Sequence, residues 1–218
     1  MYYRAFLLPL TAAIAAFGQT PQPAAVPTVD AKEIPPRASA SDYQAHAQAG
    51  KITIGAEFMG HSIAVPDGLY STEDYVAVEV GLFGPADAPV TVATEDFSLR
   101  VNGKKMPLPS LKSTVVLSNL KDPNWEPPAA SKSKGSGITT SGGGGGGGDA
   151  PPTPPKMPFA DQRAMQQRVQ KAALREGDRT LPEAGLLFFS YHGKPKSGDS
   201  IELIYSGAAG KATLALQP

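Results

Sequence analysis

Between Tyr75 and Phe83 every second side chain is a large aliphatic one, Val76, Val78, Val80 and Leu82, and the one charge, Glu79, falls between them. Side chains alternate sides only along an extended backbone, so the pattern describes a strand with one buried face. The same period recurs at Ile52 and Ile54, and at Phe97, Leu99 and Val101 between Ser98, Arg100 and Asn102. It recurs again at Leu203 and Tyr205. These sets predict one inner face built by Val76, Val78, Val80, Phe97, Leu99, Val101, Leu203 and Tyr205. A shift by one residue would bury Glu79, Arg100 and Glu202 instead, and an unpaired charge in a core opposes folding strongly.

Turn signals separate the strands. Asn102-Gly103 tolerates positive φ at both central positions and predicts a tight hairpin turn. The stretch from Gly84 to Pro89 is a second turn, leading into Val90 and Val92. Further on, the run from Gly185 to Tyr191 is almost continuously apolar, and glycine-containing turns separate it from two last extended segments. About seven to nine short strands without β-α-β alternation predict an all-β, immunoglobulin-like antiparallel β-sandwich.

Two stretches do not fit a packed sheet. Residues 19–41 are rich in Pro and Ala, with Pro21, Pro23, Pro27, Pro35 and Pro36, and predict a disordered spacer. Residues 123–158 contain an unbroken glycine tract, Gly142 to Gly148, and the run Pro151-Pro152-Thr153-Pro154-Pro155, which predict a disordered insert within the sandwich domain 42–218. Directly after it, residues 159–176 lack Pro and Gly. Met165, Val169 and Ala172 or Ala173 recur at helical spacing, so one accessory α-helix is expected across the open end of the sandwich. Asp161 is its expected N-cap and Gly177 its expected stop.

The start of the chain carries an export pattern. Arg4 precedes an apolar run from Ala5 to Phe17, and Ala16 and Gly18 place small residues where a signal peptidase reads. The run is about half the length a membrane span needs and is interrupted by Pro9. Residues 1–18 are therefore read as a signal peptide removed after Gly18, leaving a periplasmic or secreted protein with no transmembrane segment. The sequence has no cysteine, so disulfides, thiolate metal sites and a lipidated N-terminal cysteine are excluded. Lys plus Arg and Asp plus Glu balance at 20 each, and no basic stripe is interleaved with aromatics, which argues against nucleic acid as a partner.

The segment from Asp74 to Val80, then Ala88-Pro89-Val90-Thr91-Val92, then Asp96 to Lys104, and later Gly185-Leu186-Leu187-Phe188-Phe189, resembles the core of the DUF4352-like immunoglobulin-like domains of secreted bacterial proteins. The resemblance covers about half the chain. It implies a secreted β-sandwich and brings no catalytic residues with it.

Chemistry-bearing residues are sparse. His46, His61 and His192 lie in three separate segments, and no metalloprotease or nucleophile-elbow motif is present. Met59-Gly60-His61 pairs a soft and a borderline ligand on one strand face, with Met106 the one further Met in view for a copper site. Asp67, Glu73 and Asp74 surround a loop that could suit calcium, but their spacing matches no known loop and a polar hairpin turn accounts for them. Trp125, the one tryptophan, sits where the sandwich hands over to the insert, as the last core contact or as an anchor for a ligand. The reading is a non-catalytic interaction or structural module of the cell envelope, with no cofactor and with an unknown protein or envelope component as partner. A periplasmic copper carrier and a cell-envelope enzyme are the alternatives.

Overall fold

A computed structural model describes residues 31–87, 89–127 and 156–218. The expected signal peptide, the first part of the spacer and residues 128–155 of the insert lie outside the described residues. In chain order the strands are β1 (Ala45–Ala49), β2 (Ile52–Gly60), β3 (Ser62–Val65), β4 (Gly68–Ser71), β5 (Tyr75–Phe83), β6 (Val90–Val92), β7 (Phe97–Val101) and β8 (Leu108–Leu111). A one-turn helix α1 (Ser113–Val116) and the longer α2 (Phe159–Ala172) follow. The chain closes with β9 (Gly177–Arg179), β10 (Glu183–Ser190), β11 (Ile201–Gly207) and β12 (Gly210–Leu216).

The fold is all-β, antiparallel and sandwich-like, with one accessory helix. Eight strands are hydrogen-bonded in the order β1-β2-β5-β10-β8-β7-β11-β12. Short β8 joins two leaves: it pairs with β10 through Phe188↔Leu111 and Phe189↔Ser110, and with β7 through Ser98↔Pro109 and Leu99↔Leu108. At the far side the leaves meet again, where the Gln44 side chain donates to the Gln217 carbonyl (2.8 Å) and accepts from the Gln217 amide (3.1 Å). Between them lies the main core. All eight residues expected on the inner face are in it, each 5% exposed or less. Burying each such side chain contributes about 1.5–3 kcal/mol, so the period-two pattern carries much of the driving force.

The outer face of the first leaf is also covered. Ala77 of β5 and Leu186 and Phe188 of β10 form a second core with Ile63 and Tyr70 of the β3–β4 hairpin, Val116 of α1, and Met165, Val169 and Ala172 of α2. This explains the unbroken apolar run of β10, in which every residue from Glu183 to Phe189 is buried. Glu183 is tolerated there because Arg175 donates to both of its carboxylate oxygens, at 2.7 and 2.8 Å.

Four expectations about the helix are corrected by the fold. The helix does not span an open end; it lies over the outer face of β5 and β10. It also ends four residues early, at Ala172 rather than Glu176. Ala173 turns extended so that the chain can pair with β10, where the Leu174 amide donates to the Leu186 carbonyl (3.0 Å). That close approach requires Gly185, because a Cβ there would stand 2.5 Å from the Leu174 backbone. Pro158, not Asp161, occupies the N-cap, and Asp161 falls in the first turn, where its charge suits the helix dipole. Gly177 stops nothing and instead opens β9 with φ +95°.

The spacer boundary moves too. Residues 32–43 pack on the domain: Lys32 pairs with Asp67 (3.2 Å), Glu33 with Lys171 (2.8 Å) and Arg175 (3.0 Å), and Ile34 joins the outer core. Arg37 donates to Glu79 and to the Asp42 carbonyl, and its guanidinium lies 4.3 Å from the Tyr43 ring centroid. Tyr43 rests on Gly55 and Gly81, which face each other in the β2–β5 register. The Asn102-Gly103 turn is present, with φ of 52° and 63°, but strand pairing resumes only at Leu108, so the connection is longer than a two-residue hairpin.

Candidate functional site

Three segments converge at one end of the first leaf. At the end of β2, Gly60 takes φ +59° and leads into His61. At the end of β4, Ser71 exchanges two backbone hydrogen bonds with Lys121, both 2.8 Å, and the buried Thr72 donates its amide to the His61 carbonyl (3.1 Å). After β10, the Tyr191 amide donates to the Asp74 carbonyl (2.9 Å) and fixes the start of the loop carrying His192, Gly193 and Lys194.

Together His61, Ser71, Thr72, Glu73, Lys121, His192 and Lys194 line a cleft of about 450 Å³. A smaller hollow of about 260 Å³, lined by Glu73, Asp74, Ser118, Asn119, Leu120 and Lys121, lies next to it. The two share Glu73 and Lys121, whose 2.7 Å ion pair is therefore the partition between them.

The histidines have different roles. Both ring nitrogens of His61 face backbone carbonyls, Nδ1 that of Tyr75 (2.7 Å) and Nε2 that of Gly193 (2.8 Å). The ring stacks on Tyr191 at 27° with centroids 6.5 Å apart, so His61 pins the 192–194 loop to β5. His192 donates from Nδ1 to Asp74 Oδ1 (3.0 Å), and Asn119 holds the other Asp74 oxygen from its Nδ2 (2.6 Å). The carboxylate thereby orients the imidazole and leaves Nε2 as its open nitrogen. The Thr72 hydroxyl accepts from the Asp74 amide (3.4 Å) and serves the turn.

Other candidate residues are dispersed. His46 is exposed on β1. Met59 packs against the outer core, Met106 is 84% exposed on the turn between β7 and β8, and His61 has no ring nitrogen turned to a metal, so the Met59, His61 and Met106 set is not assembled. The Pro66-Asp67 segment is the polar turn of the β3–β4 hairpin. Asp67, Glu73 and Asp74 point to separate partners, Lys32, Lys121 and His192. Among the described residues no group of three or more His, Asp or Glu could hold a metal ion. Trp125 is half-buried in a turn, its amide donating to the Asp122 carbonyl (3.2 Å), and joins neither core.

Sequence reading missed Lys121, Lys194 and Asn119 as site residues, because isolated polar residues carry no signal until the fold brings them together. No family model, no curated protein and no solved structure matches the chain. No helix among the described residues is long and apolar enough to cross a membrane.

Proposed function

We propose that the chain is an exported, non-catalytic binding module of the bacterial cell envelope that engages its partner through the His61–His192 cleft. The observation that carries this reading is the way the cleft is held. Its walls join the neighbouring His61 and Ser71–Glu73 segments to Lys121 and to the distant 192–194 loop, and backbone-directed hydrogen bonds at His61, Ser71, Thr72 and Tyr191 fix them. A concave surface set in advance loses little freedom on binding, which is what a recognition site requires. The export pattern and the resemblance to secreted immunoglobulin-like domains support the same reading.

A second reading, a cell-envelope enzyme, draws on the Asp74–His192 pair, whose geometry suits a general base. No hydroxyl among the described residues is hydrogen-bonded to His192 Nε2, and the imidazole is largely exposed, its side chain 73% accessible. A copper carrier has less support still, since its ligands are spread over both leaves.

The test is to express the full chain with a C-terminal tag in a bacterial host and sequence the N-terminus of the fractionated protein. A photo-crosslinking residue is placed at Lys194 or, as a control, at Thr213 on β12. The reading expects Gln19 first, recovery in the soluble envelope fraction, and adducts from position 194 alone. Intact Met1 in the cytoplasm, or equal adducts from both positions, would overturn it.

A further inference from the structure

We infer that the cleft is a carboxylate-binding site in which Glu73 is the resident occupant and a ligand carboxylate takes its place on Lys121. This rests on the binding-module reading above and supplies the ligand chemistry that reading leaves open.

The Lys121–Glu73 pair is short but exposed, with side chains 60% and 79% accessible, and exposed ion pairs of this kind contribute little to stability. The backbone beneath Lys121 is firmly held by its two hydrogen bonds to Ser71. A fixed stem therefore presents an ammonium group to a counter-ion that leaves at little cost. Lys194 stands on the same cleft and forms no ion pair among the described residues. Its loop is anchored by His61 Nε2 on the Gly193 carbonyl and by the Tyr191 amide on Asp74. Two lysines thus stand on one hollow.

The resident counter-ion names the anion. A lysine ammonium attracts carboxylate and phosphate alike as a point charge, but the group that Lys121 holds in this cleft is the carboxylate of Glu73, at 2.7 Å. A ligand that takes the place of Glu73 is therefore assigned the same group, singly charged with two oxygens. A cleft of about 450 Å³ accommodates several carbons beyond the carboxylate. Such a carboxylate belongs either to a free organic acid or to the C-terminus of a peptide.

The test uses the full chain labelled with ¹⁵N and titrated with succinate, with alanyl-alanine and with alanyl-alanine amide, the ionic strength matched by sodium chloride. Saturable shifts should appear at residues 61, 71–73, 121 and 192–194 with a carboxylate probe and not with chloride or the amide. Response to succinate alone identifies a free acid, and response to the dipeptide identifies a peptide terminus. Lys194→Ala should weaken binding roughly tenfold, the scale of one charge-assisted hydrogen bond. Glu73→Gln, which removes the competitor, should tighten it, and unchanged melting temperatures show that both variants fold. Absence of a saturable response to either carboxylate, or weaker binding by Glu73→Gln, would overturn the inference. Crosslinking from position 194 in the envelope without any carboxylate response would overturn it while leaving the binding-module reading intact.

Discussion

Glu57 and Glu79 face each other directly across β2 and β5 and share one guanidinium, that of Arg37. Like charges at paired positions destabilise a sheet, and the shared cation offsets that repulsion. Burial works against the Arg37 charge, yet the hydrogen bonds it donates to Glu79 and then to Glu57 outweigh it and hold its pKa above the usual arginine value. Glu79, on the solvent side by strand alternation alone, is instead largely covered.

Arg37→Ala should therefore destabilise the domain by about 1–2 kcal/mol, between the range of an exposed pair and that of a buried one. Adding Glu79→Gln should recover part of the loss by removing the repulsion. Arg100→Ala, which breaks the one-third-exposed pair with Glu202, should cost less than ~1 kcal/mol. Urea unfolding of the four proteins checks the ordering, and equal losses for Arg37→Ala and Arg100→Ala would refute the clamp.

Gly55 and Gly81 form the floor under Tyr43. A methyl group on Gly55 would stand 2.5 Å from Tyr43 Cδ2, and one on Gly81 would collide with the phenol end. Gly55→Ala and Gly81→Ala should each cost about 1–3 kcal/mol, whereas Gly198→Ala, with open space around it, should change stability by less than ~0.5 kcal/mol. The Tyr43 hydroxyl is buried without a hydrogen-bond partner among the described residues, and burial pushes its pKa up. Tyr43→Phe should accordingly be neutral or stabilising in thermal unfolding, and a clear loss would show that the hydroxyl has a partner.

The inner core was legible because a half-buried strand writes its register into the sequence, as at Val76, Val78 and Val80. The outer core was not. Ile63 and Tyr70 meet Met165 and Val169 only through the tertiary fold, and no local period links them. Residues 32–43 were hidden by their Pro/Ala background. Their signal was Arg37 and Tyr43 standing out from it, and the glycines Gly55 and Gly81 within two strands rich in apolar residues. The helix end was misread because pairing of Leu174 with Leu186 overrode a helical propensity that ran on to Glu176. The cleft was illegible for a similar reason, since His61 and Gly193 are 132 positions apart.

Acid should weaken the domain through three carboxylates. A hydrogen bond from Lys171 holds Glu33 below the usual value of 4.5, one from Thr94 does the same for Glu176, and the Lys196 amide with the Asn102 side chain lowers Asp199 from 3.8. Because the folded values are depressed, their contribution is present above pH 4.5 and is lost as pH falls through the folded values. Asp96, raised by burial, has the opposite sign and offsets part of the loss. Glu33 and Glu176 are more than one-third exposed, so each contributes well under ~1 kcal/mol. The combined Glu33→Gln and Glu176→Gln variant should show a shallower fall in urea midpoint between pH 5 and pH 3, and an unchanged slope would contradict the assignment.

Burial of the first leaf on both faces is tested most directly at two neighbours on β5. Ala77 and Val78 are both fully buried, Ala77 in the outer core under the hairpin and helix, Val78 in the main core between the leaves. Ala77→Asp and Val78→Asp should each lower the free energy of unfolding by more than ~3 kcal/mol, since either places an unpaired charge in an apolar layer. Thr213→Asp, on the exposed side of β12, should change it by less than ~0.5 kcal/mol. Equilibrium urea unfolding of the three variants decides. If Ala77→Asp unfolds at the same midpoint as Thr213→Asp while Val78→Asp collapses, the outer core is absent, and with it the packing of the β3–β4 hairpin that shapes the cleft.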